Sequence, residues 1–188
     1  MGVRNWLAIL IFAMSTLVWV NAAQAVAPTI SSLSIPTGAV GASVTITGTN
    51  FGTTQGSSTV KFNGTTATAT SWGTSSIQVT VPAGATTGNV VVTVSSKASN
   101  GVNFTVAPSI TSLSITTGVV GAAVTITGTT FGATGTVTFN GTTASATSWT
   151  TTSIAVTVPS GATTGNVVVT VGGVASAGKP FTVAHPGC

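Results

Sequence analysis

The sequence predicts an all-β fold made of two tandem β-sandwich domains of about seven strands each, after an N-terminal export signal. Three observations support this prediction. The composition is rich in Val, Thr, Ser and Gly and poor in helix formers. A segment of about 80 residues occurs twice, and short stretches of alternating apolar and hydroxyl side chains are separated by Gly, Pro, Asn and Ser.

The first 25 residues predict a secretory signal peptide. Arg4 precedes an uncharged apolar stretch, residues 6–20, and the small-residue sequence Ala23-Gln24-Ala25 follows. The apolar stretch is 15 residues long, whereas a membrane-spanning helix needs about 20 residues, so a retained membrane anchor is the weaker alternative. We expect cleavage after Ala25, a secreted or cell-surface location, and no stable membrane span after cleavage.

The charged residues restrict the classes of function. The chain contains no Asp or Glu, and the cations after residue 25 are Lys61, Lys97 and Lys179. Three scattered lysines are too few to neutralise the phosphates of a nucleic acid, which excludes nucleic-acid binding. Enzymes that use a carboxylate as acid, base or nucleophile are excluded by the same count, as are carboxylate calcium sites. The sequence therefore predicts a non-catalytic protein without a cofactor.

The C-terminal sequence "HPGC" contains the one cysteine, Cys188, and the one histidine, His185. Zinc requires about four ligands, so these two residues do not form a zinc site. A thiol beside an imidazole that no carboxylate orients, beyond the last predicted strand, is a poor candidate nucleophile. We predict no metal site and no catalytic residue, and we assign residues 185–188 to a C-terminal tail.

Seven stretches in each copy predict strands with one apolar face and one threonine-rich face. In the first copy they begin near Ile30, Ser43, Thr59, Thr65, Ser76, Asn89 and Val102. Seven strands are typical of an immunoglobulin-like sandwich. The second copy repeats the pattern, which predicts one domain over residues 26–106 and another over residues 107–184. The join "FTVAPSI" around Ala107 leaves almost no linker, so we expect an elongated pair.

Turn signals agree with this assignment. "FNGTTATAT" from Phe62 and "FNGTTASAT" from Phe139 each place Asn-Gly between two predicted strands, which indicates a type I′ hairpin turn. The stretches "GASVTITGTNFG" and "GAAVTITGTTFG" contain further glycines. Because alternating Val-Thr-Ile-Thr predicts a strand and no P-loop lysine follows, we expect these glycines to serve turns and not to hold a phosphate.

Trp72 and Trp149 are the candidate partner-contact residues, and each ends the sequence "ATSW". An exposed tryptophan stacks on a sugar ring or inserts into a protein partner, whereas a buried one covers the end of a core, and both alternatives remain open. The stretch "NVVVTV" at Asn89 and at Asn166 has high β propensity and no charge. It is either a central strand or, at a sheet edge, a route to self-association.

Taken in order, these motifs resemble the IPT/TIG domain, an immunoglobulin-like fold of plexins, some transcription factors and many bacterial surface proteins. The resemblance covers residues 27–183 and rests on "APTISSLSIPTGAVGASVTITGTNFG", "VKFNGTTATATSW", "SIQVTVPAGATTGNVVVTV" and "NFTV", each with a counterpart in the second copy. It implies a non-catalytic bacterial interaction module, secreted or at the cell surface, that binds protein or carbohydrate partners. The alternative is a structural spacer or self-assembling surface subunit, or part of a longer multidomain surface protein.

Overall fold

A computed structural model describes residues 26–185, and every regular element in that range is a β-strand. The predicted signal peptide with its cleavage site at Ala25, and Cys188, lie outside the described residues. Within the described range no helix is long and apolar enough to cross a membrane.

Ten strands form domain 1 and ten form domain 2. In domain 1 they are β1 (Thr29–Leu33), β2 (Thr37–Gly38), β3 (Ser43–Thr49), β4 (Thr59–Phe62), β5 (Thr65–Ala67), β6 (Ala69–Trp72), β7 (Ser76–Thr80), β8 (Gly88–Val94), β9 (Lys97–Ala98) and β10 (Val102–Val106). In domain 2 they are β11 (Ser109–Leu113), β12 (Thr117–Gly118), β13 (Ala123–Thr129), β14 (Thr136–Phe139), β15 (Thr142–Ala144), β16 (Ala146–Trp149), β17 (Ser153–Thr157), β18 (Gly165–Val171), β19 (Val174–Ala175) and β20 (Lys179–Val183).

Each domain is a sandwich of two sheets. In domain 1 one sheet has the order β1-β3-β7-β6, and the other has the order β2-β10-β8-β4-β5 with β9 paired to β8. Domain 2 repeats this as β11-β13-β17-β16 and β12-β20-β18-β14-β15, with β19 on β18. The pairs are antiparallel except for β2 with β10 and β12 with β20. The predicted fold class, two tandem immunoglobulin-like sandwiches, is confirmed.

The core of each domain follows from the alternation of side chains along the strands. On β3, Val44 and Ile46 are fully buried while Thr47 is exposed. The register pairs Val44 with Val79 and Ile46 with Ile77 on β7, so the apolar side chains of neighbouring strands share one face. The two domains have separate cores, because no buried residue belongs to both clusters.

The predicted type I′ hairpin turns are present. Asn63 and Gly64 have φ angles of 42° and 91°, and Phe62 pairs with Thr65 across the turn. Both φ angles lie in the region that Asn and Gly tolerate best, which explains the choice of residues. The second copy has the same geometry at Asn140.

The alternating Ala/Thr stretch from Thr65 forms two strands, whereas the sequence predicted one. β5 pairs with β4, but β6 pairs with β7 in the opposite sheet, so the chain changes sheets at Thr68. The alternation of alanine and threonine continues through the change of sheet because Ala67 and Ala69, on either side of Thr68, both pack against the core. Small alanine side chains leave room for the backbone to pass close to the core.

The stretch "NVVVTV" lies in the middle of its sheet. β8 runs between β10 and β4, and β18 runs between β20 and β14. Of the two alternatives, the structure has the central strand in both copies, so this stretch does not form a sheet edge.

One expectation about glycine is wrong. Gly41 and Gly52 have positive φ angles of 86° and 81° and serve turns as expected, but Gly48 lies inside β3. A Cβ atom on Gly48 would overlap the carbonyl oxygen of Thr29 and the ring of Phe51. Gly48 is therefore required by packing, because β1 and the Phe51 ring fill the space that a side chain would need.

Candidate binding site

The two tryptophans lie at the ends of the two cores. Trp72 is half-buried against the core of domain 1, and its indole N–H donates a hydrogen bond to the carbonyl oxygen of Phe51 at 2.9 Å. Trp149 makes the corresponding bond to Phe131 at 3.0 Å. The polar group of each indole is therefore used within the domain. A partner contact would use the remaining ring surface, and this role stays a prediction.

We expect Trp72→Phe to lower the free energy of unfolding of domain 1 by about 1 kcal/mol, because it removes the hydrogen bond to the Phe51 carbonyl group. Trp149→Phe should do the same in domain 2. Differential scanning calorimetry measures both effects. If either variant loses partner binding without a change in stability, the tryptophan contacts the partner directly.

The amide side chain of Asn100 closes the free edge of β1 in domain 1. Its Oδ1 accepts a hydrogen bond from the Ile30 N–H at 2.8 Å, and its Nδ2 donates one to the Ile30 carbonyl oxygen at 3.0 Å. β1 is an edge strand, so this side of its backbone has no neighbouring strand. The amide thus takes the place that a paired strand residue would occupy.

Domain 2 has Ala177 where domain 1 has Asn100, so the edge of β11 lacks this side-chain cap. β11 pairs with β13 in the same register as β1 with β3. The N–H and carbonyl groups of Ile110 therefore face the same way as those of Ile30. No side chain among residues 26–185 takes the place of the Asn100 amide at Ile110, although Ile110 itself is 7% exposed.

The loops around Asn100 and Ala177 have the same backbone arrangement. The Ser99 hydroxyl donates a hydrogen bond to the Asn100 carbonyl oxygen at 2.7 Å, and the Ser176 hydroxyl donates one to the Ala177 carbonyl oxygen at 2.9 Å. Each hydroxyl also accepts a hydrogen bond from the central strand, at 3.0 and 3.1 Å. At this position the two loops therefore share their hydrogen bonds and differ in the side chain, Asn100 against Ala177.

A groove of about 560 Å³ lies between β11 and β20, and its lining on β11 begins at Thr111, the residue that follows Ile110. It is lined by five hydroxyl side chains together with one ammonium group and two apolar side chains: Thr111, Ser112, Thr116, Thr117 and Thr182, Lys179, Leu113 and Pro180. This volume lies in the range of small-molecule sites. Lys179 is half-buried and replaces the Val102 of domain 1. The groove therefore offers hydrogen-bond donors and acceptors, and its one charged group is a cation.

Sequence reasoning noticed Lys179 but missed Asn100, Ala177 and Ile110. The signal was present in the comparison of the two copies, where Asn100 aligns with Ala177. A sequence alone does not show that Asn100 reaches Ile30, which is 70 residues away. The structure brings no metal-binding group together in the part of the chain that it describes, where no three metal-binding side chains lie close to one another. His185 is exposed.

The topology and the repeated cores define the chain as a tandem pair of immunoglobulin-like sandwich modules. The sequence model of the IPT/TIG domain matches residues 28–106 and again residues 108–183. The chain therefore belongs to the IPT/TIG domain family, and the predicted resemblance is confirmed. No curated protein matches the sequence.

Several solved structures are similar to this chain. One, a crystal structure with a xylogluco-oligosaccharide, is 26% identical over 82% of this chain, with a TM-score of 0.41. A surface glycan-binding protein from Prevotella bryantii is 18% identical over 82%, with a TM-score of 0.42, and the extracellular region of plexin A4 is 21% identical over 84%, with a TM-score of 0.39. This chain spans 40%, 41% and 18% of their respective lengths.

Proposed function

We propose that this chain is a non-catalytic, exported interaction module that binds an uncharged glycan in the groove of domain 2. One observation carries the proposal: no side chain in the described range caps the backbone of Ile110, which directly precedes the groove residues Thr111 and Ser112, whereas Asn100 caps Ile30 in domain 1. Export is supported by the predicted signal peptide, and a binding role is supported by the absence of Asp and Glu from the sequence.

The chemistry of the open position fits two neighbouring sugar hydroxyls. The Asn100 amide shows that this position takes one acceptor and one donor, at 2.8 and 3.0 Å from the backbone atoms of Ile30. A vicinal diol supplies both, since one hydroxyl oxygen accepts from the Ile110 N–H and the other hydroxyl donates to the Ile110 carbonyl oxygen. The hydroxyl groups of the groove extend this pattern along a saccharide, because each of them both donates and accepts.

A peptide strand fits the same edge less well. The ladder between β11 and β13 has a register shift between Ile110 and Ser112. A bulge of this kind twists an edge strand and interrupts its row of hydrogen-bonding groups. An added strand would therefore lose its register after Ile110. The protein alternative for the partner is accordingly the second choice.

We expect Ala177→Asn to cap the backbone of Ile110 beside the groove and to abolish glycan binding. The new amide should bond to the Ile110 N–H and carbonyl groups, as Asn100 does to Ile30, and should block the position of the diol. Two hydrogen bonds at about 1 kcal/mol each should also raise the free energy of unfolding of domain 2. Isothermal titration calorimetry measures the binding, with the xylogluco-oligosaccharide named for one similar structure as the first probe and a panel of neutral oligosaccharides after it.

Ala177→Ser is the matched control, because its side chain is one bond shorter than that of Asn and does not bridge both groups of Ile110. It should bind glycan as the unmodified chain does. Lys179→Val, which introduces the domain 1 residue, should weaken binding by removing one donor. Unchanged glycan binding in Ala177→Asn, with domain 2 stabilised, would show that the backbone of Ile110 is not part of the binding site. A panel without a single bound glycan would refute the proposed function itself.

A further inference from the structure

Domain 2 exposes apolar side chains in the segment that corresponds to residues 35–40 of domain 1. Val119 and Val120 are 42% and 49% exposed, and Ile115 is 38% exposed. We call Val119, Val120 and residues 160–163 the distal face of domain 2. Its equivalent in domain 1 is formed by residues 39–40 and 83–86, and Val40 with residues 83–86 lines a cavity shared with domain 2.

The contact between the two domains shows what this kind of face binds. Val40 and residues 83–86 of domain 1 lie across a cavity of about 340 Å³ from residues 129–132 and 151–152 of domain 2. The contact partly shields both surfaces from solvent. Val40, Thr129 and Thr130 are only half-exposed, whereas their equivalents Val120, Thr49 and Asn50 are exposed.

The uncovered faces at the two ends of the chain have nearly the same residues as the covered ones. On the distal side "AV" and "AGAT" of domain 1 become "VV" and "SGAT" in domain 2. We call residues 49–52 and 74–75 the proximal face of domain 1. Their sequences, "TNFG" and "TS", correspond to "TTFG" and "TT" at residues 129–132 and 151–152 of domain 2. Relative to the face of domain 1, Val119 adds two methyl groups to Ala39 and Ser160 adds one hydroxyl group to Ala83. None of these residues is charged.

We propose that the distal face of domain 2 binds the proximal face of domain 1 in a second copy of this chain. The two faces are different, so the contact is heterologous, and each added copy leaves one face of each kind free. The contact therefore repeats the arrangement of the domains within one chain and extends into linear head-to-tail assemblies. This inference rests on surfaces outside the groove and does not depend on glycan binding.

The association between separate copies is weak. Within one chain the short join around Ala107 holds the two faces together at an effective concentration of about 1 mM or more. Separate copies lack this join, so association requires a comparable local concentration. Sedimentation velocity over loading concentrations from about 10 µM to about 1 mM covers that range.

Two blocked variants test the head-to-tail geometry. Val119→Lys with Val120→Lys adds two charges to the distal face, and Thr74→Lys with Ser75→Lys adds two to the proximal face. Each variant alone should stay monomeric, because it lacks one of the two faces that every contact needs. An equimolar mixture should form a heterodimer and nothing larger. The unmodified chain should form dimers and longer species as its concentration rises.

The controls separate assembly from folding and from net charge. Thr70→Lys with Gln78→Lys adds the same charge at exposed positions on the outer face of the first sheet, and it should assemble as the unmodified chain does. Circular dichroism melting should show that all variants remain folded. A strictly monomeric unmodified chain at about 1 mM would overturn the proposal, as would a closed dimer that does not grow or a mixture of blocked variants that stays monomeric.

Discussion

Gly48→Ala is expected to destabilise domain 1 more than a glycine-to-alanine substitution at any other position of that domain. The added methyl group would overlap the Thr29 carbonyl oxygen, which belongs to the backbone of β1, and the ring of Phe51, which is fully buried. Neither group is free to move, because β1 is paired to β3 and the ring is enclosed by the core. Overpacking of this kind costs about 3 kcal/mol or more.

Thermal unfolding checks this expectation. A loss of about 3 kcal/mol lowers the Tm of a domain of this size by about 12 °C or more. Gly73→Ala is the control, because a Cβ there meets its nearest neighbour, the Ser76 carbonyl oxygen, at an ordinary 3.4 Å. Gly128→Ala should reproduce the effect in domain 2, where a Cβ would overlap the Ser109 carbonyl oxygen and the Phe131 ring. A Gly48→Ala chain as stable as Gly73→Ala would contradict the packing argument.

Much of the fold was predictable from local sequence patterns. Val44 and Ile46 alternate with threonine because successive strand residues face opposite sides, and this pattern depends on neighbouring residues only. The Asn63-Gly64 turn was predictable for the same reason, since the required φ angles belong to those two residues. Local rules therefore identified the strands, the hairpins and the sandwich class.

Features that depend on distant residues were not predictable. Gly48 resembles a turn glycine until β1 and Phe51 are placed around it, and the alternation from Thr65 continues through a change of sheet. The two-residue strands β2 and β9 have too few side chains to give a periodic signal. The closure of Ile30 by Asn100 joins residues 70 positions apart, and spacing alone does not show such a contact.

Comparison of the two copies supplies part of what local patterns do not. Both domains fold alike, so a residue that differs between them is not required by the common fold. Asn100 against Ala177 identifies the edge that is closed in one domain and open in the other. Val40 and Val120 are the same residue in the two copies, but Val40 is half-buried beside domain 2 whereas Val120 is exposed. The binding site is therefore proposed where the second copy departs from the first, and the assembly surface where it repeats a face that is covered in the first.

Phe62→Ala should unfold domain 1 at a much lower denaturant concentration while domain 2 remains folded. Phe62 and Phe104 meet edge to face, with ring centroids 5.1 Å apart at 88°, and each is 1% exposed. Their strands, β4 and β10, lie on either side of β8, so the two rings meet across β8 on the core side of the sheet. Truncation of a buried phenylalanine costs about 3 to 5 kcal/mol, and the ring pair itself contributes about 0.5 to 1.5 kcal/mol.

Tryptophan fluorescence makes this measurement specific to one domain. Beyond residue 25 the sequence contains Trp72 and Trp149 alone, one in each domain. In a Trp149→Phe background, Trp72 reports the unfolding of domain 1, and the reverse background reports domain 2. Phe139→Ala, in the equivalent ring pair at 5.1 Å and 89°, should give the mirror-image result.

Whether Phe62→Ala destabilises domain 1 alone also tests the proposed assembly. Separate cores and a small contact between the domains imply that Phe62→Ala moves the Trp72 transition and leaves the Trp149 transition in place. If both transitions move together, the contact between the domains couples the two cores strongly. A face that strong would hold separate copies together well below about 1 mM, so equal shifts would contradict the weak association that we infer between copies.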